Sequence, residues 1–295
     1  MDKPADFIVG DAADKARLET IAAKPFDQVN DEDLRFVANR IRKNAIEMVF
    51  RANSGHPGGP LGLADIYAYL YFKVLKLEGA DRDRLLISNG HVCAVRYSAM
   101  AVRGQLPESE LATFRRLGSR LQGHPSTKFF PLVENSSGSL GQGLANASGL
   151  ALGLRYQKNN GRVFVGMSDG ECQEGMTWEA AMAVAHHKLV NVHPFLDFNN
   201  IQIDGKVENV MGVEPLDKKF EGFGWQVRIA DGHDFKAIAE AFDWSLAADK
   251  APRMILFRTV LGKGVSFMEN NPDWHGSPPN QKDRDNAFAE LSALG

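Results

Sequence analysis

The chain has 295 residues, 44% of them hydrophobic and 24% charged, with a formal net charge of −3. This composition is ordinary for a globular protein, and the near balance of charges argues against a nucleic-acid or membrane surface. The two cysteines, Cys93 and Cys172, lack metal-ligand spacing, and no apolar signal segment or membrane-length apolar run occurs, so we predict a cytoplasmic protein without disulfides.

The first 75 residues are predicted to be mainly helical. Residues 1–30 are polar, and we predict an N-terminal arm with one short helix. A longer helix is predicted from Asn30 or Asp31, because apolar residues recur there every three or four positions up to Val49. This helix ends in the loop 53–60, and a second apolar helix is predicted over 61–75.

The rest of the chain alternates between short β-branched runs and helical segments. The predicted strands cover 84–88, 162–167, 192–198, 225–229 and 253–260. The predicted helices between them cover 174–189 and 235–248. This alternation predicts an α/β fold with a mostly parallel sheet and helices on both faces, as a single domain over 31–295.

Polar residues follow two of these predicted strands. Asp169 and Gly170 come after the strand 162–167, and Asn199 and Asn200 come after the strand 192–198. Taken singly, the first pair reads equally well as a turn and the second as a strand-end loop. Taken together, they should meet at one edge of a parallel sheet, where α/β proteins bind ligands. Their oxygen atoms suit Mg²⁺, and Gly170 allows a phosphate to approach the backbone.

An aspartate and glycine followed about thirty residues later by two asparagines resemble the motif of thiamine-diphosphate enzymes. Ser168 replaces the glycine that usually opens the motif. The resemblance implies that thiamine diphosphate binds with Mg²⁺, for which Ca²⁺ or Mn²⁺ can substitute. It also implies that Asp169, Asn199 and the carbonyl of Ile201 hold the metal.

Further segments are similar to those of the transketolase family and occur in the family order. They are Ser54-Gly55-His56-Pro57-Gly58-Gly59-Pro60, Ser88-Asn89-Gly90-His91, Gly123-His124-Pro125, Gly138-Ser139-Leu140-Gly141-Gln142-Gly143 and Trp274-His275-Gly276. Transketolases transfer a two-carbon ketol unit from a ketose phosphate to an aldose. Histidine suits the proton transfers of such a reaction near neutral pH.

The resemblance implies a role for each matching residue. His91 and His124 are expected to face the donor hydroxyls, and His56 and His275 to lie near the reacting carbonyl. The residues expected to contact the cofactor are His91, Gly138, Leu140, Asp169, Gly170, Glu174, Asn199 and His275. Of these, Gly138 and Leu140 are expected at the aminopyrimidine ring and Glu174 at a subunit contact. His186, His187, His193 and His233 match no motif and are expected to be structural.

A full-length transketolase is more than twice as long as this chain and includes a pyrimidine-binding domain. We therefore expect the chain to be the N-terminal subunit of a split transketolase, active with a separate C-terminal subunit in an α₂β₂ assembly. Sugar phosphates are the expected substrates, and no nucleic-acid or membrane partner is expected.

Three alternative interpretations also fit parts of the sequence. They are the α subunit of a 2-oxo acid dehydrogenase, a deoxyxylulose-phosphate synthase, and a non-catalytic half that binds the cofactor. A Rossmann dehydrogenase is disfavoured because no G-x-G-x-x-G follows an early strand.

Overall fold

The computed structural model of the protein describes residues 9–294. The helices are α1 (Ala12–Ala23), α2 (Asp31–Ala52), α3 (Gly58–Tyr69), α4 (Cys93–Val102), α5 (Gln142–Tyr156), α6 (Gly175–His186), α7 (Val207–Met211), α8 (Leu216–Gly222), α9 (Phe235–Leu246) and α10 (Gln281–Ala293). The strands are β1 (Arg84–Ile87), β2 (Val163–Ser168), β3 (Val192–Phe198), β4 (Ile201–Gln202), β5 (Gly205–Lys206), β6 (Gln226–Asp231) and β7 (Arg253–Arg258).

The contacts within the chain divide its described residues into two compact units. The helical unit comprises the residues up to Val74, His91–Gly123 and the residues from Val260 onward. The sheet unit comprises Leu75–Gly90 and His124–Thr259. The single domain over 31–295 therefore stays a prediction, because its residues are shared between both units.

In the helical unit, an N-terminal cap fixes the start of helix α2 and an apolar stripe forms its buried face. The Asn30 side chain accepts a hydrogen bond from the Asp33 N–H at 2.9 Å, and the Asp33 carboxylate accepts one from the Asn30 N–H at 3.2 Å. This reciprocal capping box satisfies two N–H groups at the start of the helix. Val37, Ile41 and Ala45 are fully buried along one face, so the predicted helix is confirmed.

Helix α3 begins at Gly58, three residues before the predicted start at residue 61. The prediction placed its first turn in a loop because that turn consists of Gly58, Gly59 and Pro60. Beyond Tyr69 the chain continues as a π-helical turn over Leu70–Val74. The predicted short helix of the N-terminal arm corresponds to α1.

The sheet unit contains a five-stranded sheet in the order β1-β2-β3-β7-β6, with every neighbouring pair parallel. The short strands β4 and β5 form a separate antiparallel hairpin just after β3. The five strands predicted from the sequence are confirmed to within a few residues. Helix α6 ends three residues earlier than predicted, and the backbone turns there through Lys188 at φ +50°.

Helices cover both faces of the sheet. Successive side chains of a strand point to opposite sides, so the helices that alternate residues contact show which face each helix covers. Val163, Val165 and Met167 of β2 join an apolar cluster with residues of α5, α6 and α8. The alternate residue Phe164 lies 6.4 Å, between ring centroids, from Phe242 of α9. The predicted α/β fold with helices on both faces is confirmed. No helix within residues 9–294 is long and apolar enough to cross a membrane.

Candidate functional site

The carboxyl ends of β2 and β3 are joined through Asp169. Its Oδ2 accepts a hydrogen bond from the backbone N–H of Asn200 at 2.5 Å, and its Oδ1 accepts one from the N–H of Gly170 at 2.7 Å. The backbone N–H of Asp169 donates to the carbonyl of Asp197 at 3.1 Å. The residue is only 1% exposed. The two strand ends thus meet around one buried carboxylate, as the parallel pairing requires.

Asn199 is held at the same edge by its own turn. Its Oδ1 accepts a hydrogen bond from the Ile201 N–H at 2.8 Å, and its Nδ2 donates to Oδ2 of Asp197 at 3.0 Å. The hydroxyl of Thr259, just after β7, donates to the other oxygen of Asp197. These contacts hold the Asn199 amide between Asp197 and Ile201, with its oxygen on the Ile201 side.

Two buried carboxylates lie close together at this edge, and both have shifted pKa values. Burial, reinforced by the negative charge of Asp197, raises the pKa of Asp169 to about 7, and the N–H donors of Asn200 and Gly170 oppose the rise. Burial also raises the pKa of Asp197 to about 6, opposed by the Thr259 hydroxyl. A cation bound here would relieve the repulsion between the two carboxylates.

The oxygen atoms at this edge fit a hard divalent cation. A carboxylate offers about four lone-pair positions, and the two N–H donors to Asp169 use only part of them. The Asn199 amide oxygen and the Ile201 carbonyl add neutral oxygen ligands of the kind that Mg²⁺ accepts. Among residues 9–294, no cluster of three or more His, Cys, Asp or Glu side chains forms a metal site. A cation here would therefore need oxygens from a ligand or water as well.

A turn before α5 carries the residues expected at the cofactor ring. Gly138 and Gly141 have φ angles of +156° and +80°, a conformation that favours glycine. A Cβ atom on Gly141 would lie 2.7 Å from Cβ of Glu174, so the turn packs directly on the start of α6. The Gly141 N–H also donates to Oε1 of Glu171 at 2.9 Å. Burial raises the pKa of Glu171 to about 7.

Three of the four predicted catalytic histidines lie together within the helical unit. The ring centroids of His56 and His91 are 5.2 Å apart, those of His91 and His275 are 5.2 Å apart, and those of His56 and His275 are 5.8 Å apart. Burial lowers the pKa of His275, which favours the neutral imidazole. Its buried Nδ1 has no hydrogen-bond partner among the described residues.

Glycines bring these three histidines together. A Cβ on Gly58 would lie 2.9 Å from the carbonyl oxygen of Trp274, which precedes His275. A Cβ on Gly59 would lie 2.6 Å from Cγ1 of Val92, which follows His91. The start of α3 therefore approaches both other histidine-bearing segments more closely than a side chain would permit. Close packing at Gly58 and Gly59 therefore explains why glycines follow His56.

His124 belongs to the sheet unit and is exposed. A Cβ on Gly90 would lie 3.4 Å from its ring. His193, expected to be structural, is buried in β3, where its Nδ1 lies 3.1 Å from the Ser245 hydroxyl. His186 and His187 lie exposed at the end of α6.

The sequence interpretation missed two acidic residues at the strand ends. Asp197 lies inside β3 and touches Asn199, whereas Glu171 lies in the turn after Asp169. The sequence sign that could have revealed Asp197 was a charged residue within the apolar run Val192–Phe198. Glu171 gave no such sign, because most of its partners are distant along the chain.

A parallel sheet with a buried carboxylate and an asparagine at adjacent strand ends is typical of ligand-binding α/β domains. Residues 34–291 match the family described as transketolase, thiamine diphosphate binding domain. The chain therefore belongs to the transketolase family and contains its thiamine-diphosphate-binding domain.

Similar proteins include separate transketolase subunits. The 6-deoxy-6-sulfo-D-fructose transketolase subunit SqwG of a Clostridium species is 35% identical over 89% of this chain and 98% of its own length. An apulose-4-phosphate transketolase subunit of Actinobacillus succinogenes is 34% identical over 90% of this chain and 98% of its own length. A crystal structure of transketolase from Campylobacter jejuni superposes with a TM-score of 0.83 at 34% identity, over 89% of this chain and 43% of that one.

These likenesses confirm the transketolase interpretation over the 2-oxo acid dehydrogenase alternative. They bear on the family and the cofactor-binding domain. The roles of individual site residues stay predictions, as do the metal, the assembly and the substrates.

Proposed function

We propose that the chain is the N-terminal subunit of a split transketolase that transfers a two-carbon ketol unit from a ketose phosphate to an aldose. The observation that carries this proposal is the match with nearly the full length of two separate transketolase subunits. The arrangement of Asp169 and Asn199 at adjacent strand ends supports it independently.

Mg²⁺ is the proposed metal, held by Asp169, Asn199 and the carbonyl of Ile201 against the diphosphate. The Asp169 carboxylate is buried next to Asp197, and a divalent cation would stabilise its charged form. Gly170 leaves room for phosphate oxygens, and the N-terminus of α6 at Gly175 favours negative charge.

Thiamine diphosphate supplies the electron sink for cleavage of the carbon–carbon bond when it is bound. The chain's own contribution is to bind, orient and exchange protons. Among the three clustered histidines, His275 has a pKa lowered by burial, so its imidazole is neutral near pH 7 and suited to accept a proton. His56 shares that role, whereas His91 and His124 hold the donor hydroxyls.

A separate C-terminal subunit completes the proposed enzyme, in an α₂β₂ assembly in which Glu174 lies at a subunit contact. Glu174 is exposed beside Gly141 in this chain, which leaves it accessible to a partner. The partner would supply the pyrimidine-binding domain and most contacts to the sugar phosphate. We therefore expect the choice among ordinary, sulfonated and branched sugars to follow the partner.

The test is reconstitution from purified chains. Ketol transfer from a ketose phosphate should require this chain, the partner subunit, thiamine diphosphate and Mg²⁺ together. Robust turnover by this chain alone would refute the two-subunit proposal. Turnover of pyruvate in place of the ketose phosphate would refute the assigned reaction. Omitting Mg²⁺ after chelation tests the metal separately.

A further inference from the structure

Glu171 is a fully buried carboxylate in the turn that follows β2 and Asp169. Its Oε1 accepts hydrogen bonds from the Ser88 hydroxyl and from the Gly141 N–H, the latter at 2.9 Å. Its Oε2 accepts one from the Ser168 N–H at 3.3 Å. The partners come from three separate segments of the sheet unit, so one side chain links all three.

Each linked segment bears on the proposed cofactor site. Ser168 ends β2 and precedes the proposed metal ligand Asp169. Gly141 ends the turn that begins at Gly138, the proposed contact of the aminopyrimidine ring. Ser88 follows β1, and its Oγ accepts a further hydrogen bond from the N–H of Gly143 in the first turn of α5, at 2.9 Å.

The network holds the turn before α5 at two points. The Gly141 N–H donates a hydrogen bond directly to Glu171. The Gly143 N–H donates to the Ser88 hydroxyl, which in turn donates to Glu171. Because all three groups that reach Glu171 are donors, a carboxylate accepts from each of them, whereas a glutamine would place its NH₂ group against one of them. An alanine would leave buried N–H groups without an acceptor, which is costly in a dry interior.

We propose that Glu171 is a positioning residue that fixes the Gly138–Gly141 turn relative to Asp169, and so sets the place of the thiamine ring relative to the diphosphate. This inference rests on the proposed function, because the turn is taken as the ring contact. Glu171 itself acts through Ser88 and Gly141 and touches no reacting atom.

Two ligands can probe the binding of the two parts of the cofactor separately. Pyrophosphate with Mg²⁺ probes only the metal and diphosphate part, whereas thiamine diphosphate with Mg²⁺ also probes the ring. A residue that positions the Gly138–Gly141 turn should affect the binding of thiamine diphosphate far more than the binding of pyrophosphate. A residue that only supports the fold would weaken both ligands together.

The variants are Glu171→Gln, Ser88→Ala and their double, with Glu240→Gln on the exposed face of α9 as the matched control. The full chain is assayed in complex with its partner subunit. We expect Glu171→Gln to weaken binding of thiamine diphosphate about tenfold or more, as for a buried donor left without its acceptor, and binding of pyrophosphate by less than about threefold. The double variant should lose less than the sum of the single losses, because both changes break one network.

Hydrogen exchange of the amides at 138–143 gives a readout that needs no cofactor. Glu171→Gln should speed exchange at Gly141 and Gly143 in the chain without ligand, while Glu240→Gln leaves it unchanged. Equal binding of thiamine diphosphate by wild type and Glu171→Gln, or equal weakening of both ligands, would overturn the positioning role. Failure of the wild-type complex to bind thiamine diphosphate at all would overturn the proposed function instead, and with it the ligand assigned to this turn.

Discussion

The Asp169 carboxylate, which follows β2, accepts a hydrogen bond of 2.5 Å from the backbone N–H of Asn200, which follows β3. One side chain therefore links two strand ends at the proposed metal site. The bond also fixes which carboxylate oxygen faces the Asn199 turn. Binding of metal and cofactor should depend on this residue more than the stability of the sheet does.

Asp169→Ala should reduce the Mg²⁺-dependent affinity for thiamine diphosphate by about 100-fold or more, because it removes the proposed charged ligand of the metal. Its effect on unfolding should be modest, since the change also removes a buried charge that repels Asp197. Isothermal titration and thermal unfolding measure the two effects. The matched control is Asp243→Ala, at an exposed position on α9. Unchanged cofactor affinity in Asp169→Ala would refute the site assignment.

His56→Gln should lower kcat by about 100-fold or more, in the range attributed to a single general acid–base group. The affinity for thiamine diphosphate should stay the same, because His56 is assigned to the reacting carbonyl and not to the cofactor. Steady-state kinetics of the reconstituted complex provides the measurement, with the exposed His186→Gln as control. A loss of cofactor affinity with unchanged kcat would reverse the assigned role.

Two glycines of α5 should respond to alanine with opposite signs. A Cβ on Gly143 would lie 2.8 Å from Cα of Ser88 and closer still to its side chain, so Gly143→Ala should lower the free energy of unfolding by about 1–3 kcal/mol. Gly153 has no atom within 4 Å of such a Cβ, and Gly153→Ala should raise it by about 0.5–1 kcal/mol through helix propensity. Urea unfolding of this chain decides the signs. Equal effects at both positions would contradict the close approach of α5 to Ser88.

Because of His193, the free energy of unfolding should decrease as the pH is lowered below about 6.5, the ordinary pKa of histidine. Burial, reinforced by the charge of Arg162, lowers its pKa from 6.5 to about 4, although Asp83 opposes the shift. Between these values the unfolded chain binds a proton at this position and the folded chain does not, so lowering the pH favours unfolding. Relative to His193→Phe, the wild-type free energy of unfolding should fall by about 1.4 kcal/mol per pH unit from about pH 6.5 to about pH 4.

Urea unfolding at several pH values measures this difference, whose pH dependence should be absent above about pH 7. His193→Gln provides a second reference, because it also lacks a titrating group but differs in size from Phe. Both references should show the same pH dependence relative to wild type. A constant difference between wild type and either variant across this range would contradict the buried neutral imidazole.

The sequence by itself determined what depends on neighbouring residues. The stripe from Leu34 to Val49 and the cap at Asn30 define α2, and short apolar runs define β2 and β3. Asp169 and Asn199 could be placed at strand ends because each directly follows its strand. A parallel pairing then brings such ends together by general geometry, before any side chain is located.

Only the tertiary structure decided what depends on contacts between distant residues. Glu171 meets the hydroxyl of Ser88 across 83 positions of sequence, and nothing local to either residue indicates the pairing. The order β1-β2-β3-β7-β6 and the close approach of Gly58 to Trp274 depend in the same way on the packing of many side chains together. Local spacing carries no information about such packing, because the burial that stabilises it belongs to the folded chain as a whole.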